Sequence, residues 1–171
     1  MVVLKVIQHT NAESNYLAHA IHYIINKEEM VFYDGFCVNP DIACWQMLKV
    51  KQYFGKMSGN PLMHLIVSFD TQVNCLQDAV VYAYEIAKYY GNRFQIVYSI
   101  HEKAQERNGR VLSFYHVHYI INSVSYIDGR MFAQNKGEIH AFGQYVSQVV
   151  GGSHFRVIYG REERDENQYK R

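Results

Sequence analysis

Two histidines one residue apart, His116 and His118, stand in the run SFYHVHYIIN at positions 113–122. The run is rich in β-branched and aromatic residues and reads as a strand. Alternate strand side chains share a face. His116, His118, Ile120 and Asn122 therefore share one face, and Val117, Tyr119 and Ile121 the other. Upstream, Asn108-Gly109 between extended segments is a strong signal for a two-residue hairpin turn. Such a turn sets His101 directly across from His116, with His118 on the diagonal. Opposed Cβ atoms lie ~4.5–5.5 Å apart and diagonal ones ~7–8 Å. Three converging imidazoles can share a metal ion such as Mn, Zn, Co or Ni and leave coordination positions open. An ion held that way polarises a carbonyl or phosphoryl oxygen. The nucleophile is then a metal-bound water or a side chain.

The register has an internal check. It pairs Ile100 with Val117, Tyr98 with Tyr119 and Ile96 with Ile121, a continuous apolar surface for helices to cover. A slip of one residue would send His101 to the wrong face. Without His101, the His-x-His pair reads more readily as a half-exposed polar strand face. The register match favours the metal site.

The elements that must position these residues follow from pattern. Residues 2–7 read as a strand and 12–26 as a helix with Leu17, Ala20, Ile21, Ile24 and Ile25 on its apolar arc. Its other arc carries Tyr16, His19, His22, Tyr23 and Asn26, where a solvated face would more often carry Lys and Glu. A phenol is a competent covalent nucleophile once a metal or base assists it. His19, one turn before Tyr23, is placed to accept its proton or hold a phosphate, and reads equally as part of a polar helix face. Residues 32–40 read as a loop, with turn chemistry at Asp34-Gly35 and Asn39-Pro40. A second helix is expected at 41–54, a strand at 62–69, and a third helix at 75–90 closed by Gly91. Strands at 94–101 and 111–122 follow, then a small hairpin at Asp128-Gly129, a helix at 138–149 and a strand at 154–160. This order implies an α+β domain with one mainly antiparallel sheet and helices packed on one face. His64, on the strand at 62–69, reads as a core histidine or one supporting a ligand rather than a ligand itself.

The bulk numbers exclude some classes. The chain has 171 residues, 49% hydrophobic and 15% aromatic, enough for one well-filled core. A net charge of +1 gives no global basic excess, so any polyanion contact must be a local patch. Cys37, Cys44 and Cys75 have no metal-type spacing and point to a reducing compartment. No apolar run approaches a membrane span, and the first residues do not read as a signal peptide. A cytoplasmic location is expected.

At this point the residues carry a resemblance. HVHYIINSVSYIDGRMF resembles the motif of mobilisation relaxases, especially those of mobile elements in Gram-positive bacteria: a His-x-His strand, an Asn and an Asp-Gly hairpin. MHLIVSF is similar to the strand before the metal hairpin, AIHYIIN to the N-terminal helix bearing the nucleophilic tyrosine, and NPDIACWQMLKVKQYFGK to the helix after it. The resemblance spans about residue 5 to about residue 159. It implies an HUH-type endonuclease with a ferredoxin- or RRM-like core over residues 1–160; the tail at 161–171, polar in composition, is expected to be flexible. It implies nicking of one DNA strand at an origin of transfer, with a tyrosine keeping the 5′ end covalently bound.

Carried onto this chain, the resemblance makes His101, His116 and His118 the ligands of a divalent ion. Mn or Mg is expected, with Zn, Co or Ni as alternatives. Tyr23 becomes the nucleophile, with Tyr16 and Tyr33 as rivals, and Asn122 a supporting residue. Glu102 stands where the family carries an acid after its first histidine, although strand alternation turns it to the other face. The segment between His101 and His116 is longer than the family's. Arg130 and Lys136, with Lys49, Lys51, Lys56 and Arg156, are candidate phosphate contacts, and Tyr16 a candidate DNA contact. Single-stranded DNA and accessory relaxosome proteins are the implied partners. Rival readings are a replication initiator of the same superfamily, a DNA-binding accessory protein with a degenerate site, and a metal hydrolase using activated water.

Overall fold

A computed structural model describes residues 1–8, 15–69, 73–107 and 109–161. The expected helix start at 12–14, the turn residue Asn108 and the polar tail from 162 lie outside the described residues.

In chain order the elements are β1 (Val2–Gln8), α1 (Tyr16–Ile25), β2 (Met30–Phe36), a 3-10 turn (Pro40–Ile42), α2 (Ala43–Tyr53), β3 (Leu62–Ser68), α3 (Leu76–Gly91), β4 (Ile96–Arg107), β5 (Arg110–Asn122), α4 (Lys136–Val149) and β6 (Phe155–Arg161). The strands form one sheet in the order β2-β4-β5-β3-β1-β6. Every neighbouring pair is antiparallel except β1 and β6, which the α4 connection makes parallel. The α+β class and the mainly antiparallel sheet are as expected.

The helices divide between the two faces rather than sharing one. On the first face Leu4, Leu65, Tyr98, Val117, Tyr119 and Ile121 meet Ala83, Ile86 and Tyr90 of α3 and Phe142 and Val146 of α4. On the second, Leu17, Ile21 and Ile24 of α1 and Met47 of α2 cover Leu62, Val97 and Ile120. The second core is small because the same face carries the histidines further along β5. The α1 and α2 helices cap one end of it and leave the histidine end open.

The segment expected as a loop at 32–40 begins instead within edge strand β2, paired only with β4. Asp34-Gly35 sits inside that strand, where Asp34 Oδ1 accepts from the Gly35 amide at 2.7 Å. Cross-strand pairing outweighs the local turn preference here. Gly91 does not serve as a left-handed cap. It is the last residue of α3, and a Cβ there would stand 2.3 Å from Phe36 Cδ1, so the residue is needed for close approach of α3 to β2. Gly129 does have positive φ, +70°, in a turn closed by the single bridge Val124–Met131 rather than by a full hairpin.

Candidate metal centre and cleft

Strand β4 pairs with β5 in the register set by a two-residue turn: His101 opposite His116, Ser99 opposite His118, and Arg107 opposite Arg110 at the end. The ring centroids lie 4.4 Å apart for His101–His118, and 5.2 Å apart for both His101–His116 and His116–His118. One ring nitrogen from each falls within 4.8 Å of the others. His101 and His118 are buried and His116 half-buried.

Hydrogen bonds orient two of the rings. His101 Nε2 is 2.7 Å from the carbonyl oxygen of Ile24, near the end of α1. A carbonyl only accepts, so Nε2 carries the proton and Nδ1 keeps its lone pair. Ser99 Oγ stands 3.0 Å from the same Nε2. His101 Nδ1 is buried and has no hydrogen-bond partner. His118 Nδ1 is 2.9 Å from His64 Nε2, which leaves His118 Nε2 for a ligand. Burial holds all three imidazoles neutral. It pushes His116 down to about 3, helped by His101, Lys103 and Lys27. His101 is lowered chiefly by burial, and His118 well lowered by burial and then by the neighbouring His64, His101 and His116. Neutral rings, an orphaned buried lone pair and a carbonyl that sets the His101 tautomer are what a divalent metal requires of a three-histidine site.

The trio opens onto a cleft of about 300 Å³ whose lining includes His64, His116, His118, Tyr23, Ser68 and Ile66. Lys5, Lys27, Glu29 and Lys103 form its polar wall. The Tyr23 ring lies 6.3 Å from the His118 ring, edge-on, and Lys27 Nζ sits 4.1 Å from the Tyr23 centroid. A larger hollow, about 500 Å³, is lined by Lys49, Tyr53, Phe54 and Tyr126 and includes none of the three histidines.

Of the residues singled out from sequence, Tyr23, His64, His101, His116 and His118 come together. Others do not. His19 is exposed on α1 and outside the cleft lining. Tyr16 packs half-buried against the α1–α2 core, and Tyr33 OH donates to Asp41 Oδ1 at 3.2 Å. Asn122 is four residues along β5 from His118, ~13 Å away at strand rise. Its Nδ2 donates to Met47 O at 3.2 Å and Gln95 Oε1 at 3.1 Å, which ties α2 to the sheet rather than supporting the trio. Glu102 faces away, accepting from Ser113 Oγ at 2.5 Å and Tyr115 OH at 3.4 Å. Lys136 opens α4, on the opposite face of the sheet. Arg130 lies beyond the far end of β5 beside Asp128. Lys51 is buried, donating to Pro61 O at 2.6 Å and Ser123 Oγ at 2.7 Å, and burial lowers it to about 8.

The cations that do line the cleft, Lys5, Lys27 and Lys103, were not singled out. Two were legible. Lys103 follows His101 by two on the same strand face, and Lys27 follows Tyr23 by one helical turn. Lys5 arrives only through the pairing of β1 with β3, where it opposes Ile66.

Residues 23–150 match the family model described as relaxase, MobA/VirD2-like, nuclease domain. Among solved structures, the conjugative relaxase TrwC in complex with oriT DNA, a metal-bound structure, is 10% identical with a TM-score of 0.43; the match covers 88% of this chain and 68% of that one. No curated protein sequence matches the chain.

Proposed function

The chain belongs to the relaxases, in the MobA/VirD2-like nuclease-domain family, and from that membership we propose that it nicks and transfers one DNA strand at an origin of transfer, with Tyr23 as nucleophile. The observation that carries this is the shared cleft: the Tyr23 phenol and two of the three clustered imidazoles line the same opening.

In the proposed reaction the Tyr23 oxygen attacks the scissile phosphorus. The new bond joins the phenolic oxygen to phosphorus, and the bond from phosphorus to the 3′ oxygen breaks. Tyr23 gives up its phenolic proton to solvent as it attacks, the leaving oxygen takes a proton from solvent and departs as a free 3′ hydroxyl, and the 5′ phosphate stays esterified to Tyr23. The ester conserves the bond energy for rejoining. His101, His116 and His118 would hold a divalent ion, Mn or Mg, which when bound supplies charge neutralisation at the phosphoryl oxygens. The ammonium groups of Lys5, Lys27 and Lys103 hold the flanking phosphates against the cleft wall. The hydrogen bond from His101 to Ile24 O couples the trio to the helix that carries Tyr23, so ligand and nucleophile keep a fixed relation.

The test is incubation with Mn²⁺ and labelled single strands drawn from candidate transfer origins, read on denaturing gels. Wild type should form a covalent protein–DNA adduct, and Tyr23→Phe should lower its formation at least about a thousandfold. Nicking that survives in Tyr23→Phe without an adduct would instead assign attack to activated water. An adduct that persists there but vanishes in Tyr16→Phe would move the nucleophile one face-repeat along α1.

A further inference from the structure

The strands carrying the histidines run on past the sheet. Pairing with β2 ends at Met30–His101, with one more bond from the Glu102 amide to Glu29 O at 2.9 Å, and pairing with β3 ends at Ser68–His116, with one more bond from the Phe69 amide to Tyr115 O at 3.0 Å. Beyond that point the ladder from Lys103–Phe114 to Arg107–Arg110 has no third strand among the described residues. It is a two-stranded ribbon, on the order of 15–20 Å long at strand rise.

Alternation sorts its side chains. Lys103, Gln105, Arg110, Leu112 and Phe114 fall on the same side as His101 and His116. Glu102, Ala104, Glu106, Val111, Ser113 and Tyr115 fall on the other, and the Ser113 and Tyr115 hydroxyls bond Glu102 there. Both of the ribbon's carboxylates thus lie away from the histidine side. That side carries cations and apolar groups and continues directly from the cleft, where Lys103 stands 3.8 Å from Glu29. Lys103, Gln105, Arg110 and Leu112 are exposed.

We propose that the histidine side of this ribbon is a second DNA-binding surface, one that holds the unpaired strand leading away from the cleft. This rests on the nicking function proposed above. Cations for phosphates, interleaved with Leu112 and Phe114 for base faces, are the chemistry of single-stranded DNA; stacked duplex bases present no faces to such groups. An unstacked strand extends further per nucleotide than the ~3.4 Å of a duplex strand, so the ribbon spans fewer than about five nucleotides. The sorting also accounts for the length of the segment between His101 and His116: a metal hairpin alone needs only the turn, while a strand-holding arm needs the extra pairs.

The test measures fluorescence anisotropy of a labelled oligothymidylate of about 25 nucleotides, and of a mixed-sequence duplex of equal length, at several salt concentrations. The Arg110→Glu/Leu112→Ser protein should bind the single strand at least about tenfold more weakly than wild type, with the salt slope reduced by about one. The opposite-side Glu106→Gln/Val111→Ser protein should bind within about twofold of wild type. Thermal melts of both proteins report whether the fold is retained; all four positions are exposed. If wild type binds the single strand and Arg110→Glu/Leu112→Ser binds it equally, the ribbon is not a contact and the proposal fails while the nicking function stands. A loss confined to the duplex overturns it too. If wild type binds neither the oligothymidylate nor any single strand drawn from candidate transfer origins, the nicking function falls with it.

Discussion

His101 shows how much a single tautomer carries. Its Nε2 proton is committed to the Ile24 carbonyl, so the buried Nδ1 has only a lone pair to offer. All three rings lie below the ordinary histidine value, His116 at about 3. In the unfolded chain they titrate near ~6.5. Between those values the unfolded state binds more protons than the folded one, so stability rises with pH through that window and is lost as pH falls. Unfolding free energies of the metal-free protein from urea titrations should therefore drop steadily from about pH 6.5 downward, by up to about 1.4 kcal/mol per pH unit per histidine, and the urea midpoints with them. His116→Asn should flatten the dependence. A wild-type midpoint that does not change between pH 7 and 4 (about the range accessible before general acid unfolding) would contradict the burial that makes the trio neutral.

At the scale of elements, two close fits hold the frame around the site. Asn122 joins β5 to α2 and to Gln95 from a fully buried position. Asn122→Ala leaves the Met47 carbonyl and the Gln95 amide oxygen without that donor and should cost about 1–3 kcal/mol by urea unfolding. Metal affinity should be unchanged, since the side chain does not reach the histidines. A fall in metal affinity at full stability would restore Asn122 to the site. Gly91 is the second fit. Gly91→Ala must push α3 off Phe36 and should destabilise by about 1–3 kcal/mol. Phe36→Leu in the same chain should recover part of that loss, which double-mutant analysis would read directly.

Over the whole molecule, the site is a junction. It takes two histidines from β5, one from β4, an orienting carbonyl and a phenol from α1, and a lysine from β1. An ion bound there is held only by the folded chain, so it should raise the melting temperature with concentration. Excess Mn²⁺ or Co²⁺ should raise it by several degrees, EDTA should reverse the rise, and His101→Ala should abolish it. An equal rise in His101→Ala would place the ion elsewhere. No helix among the described residues is long and apolar enough to cross a membrane.

The local pattern by itself determined the register of the histidine hairpin. Asn108-Gly109 specifies a two-residue turn, strand period is two, and those facts alone set His101 against His116. The same periodicity put Leu17, Ile21 and Ile24 on the buried arc of α1. What failed were inferences that needed a direction in space. Asp34-Gly35 has turn chemistry, yet β4 recruits it as an edge strand. Asn122 shares a strand face with the histidines, but strand rise carries it out of their reach. Lys136 and Arg130 are near the motif in sequence and far from the cleft in the fold. Lys5 is far in sequence and lines it. Turns and periods are local properties of the backbone, so the sequence states them directly. Which helix closes which face, and which cation reaches the cleft, depends on long-range strand order, and only the tertiary structure decides that.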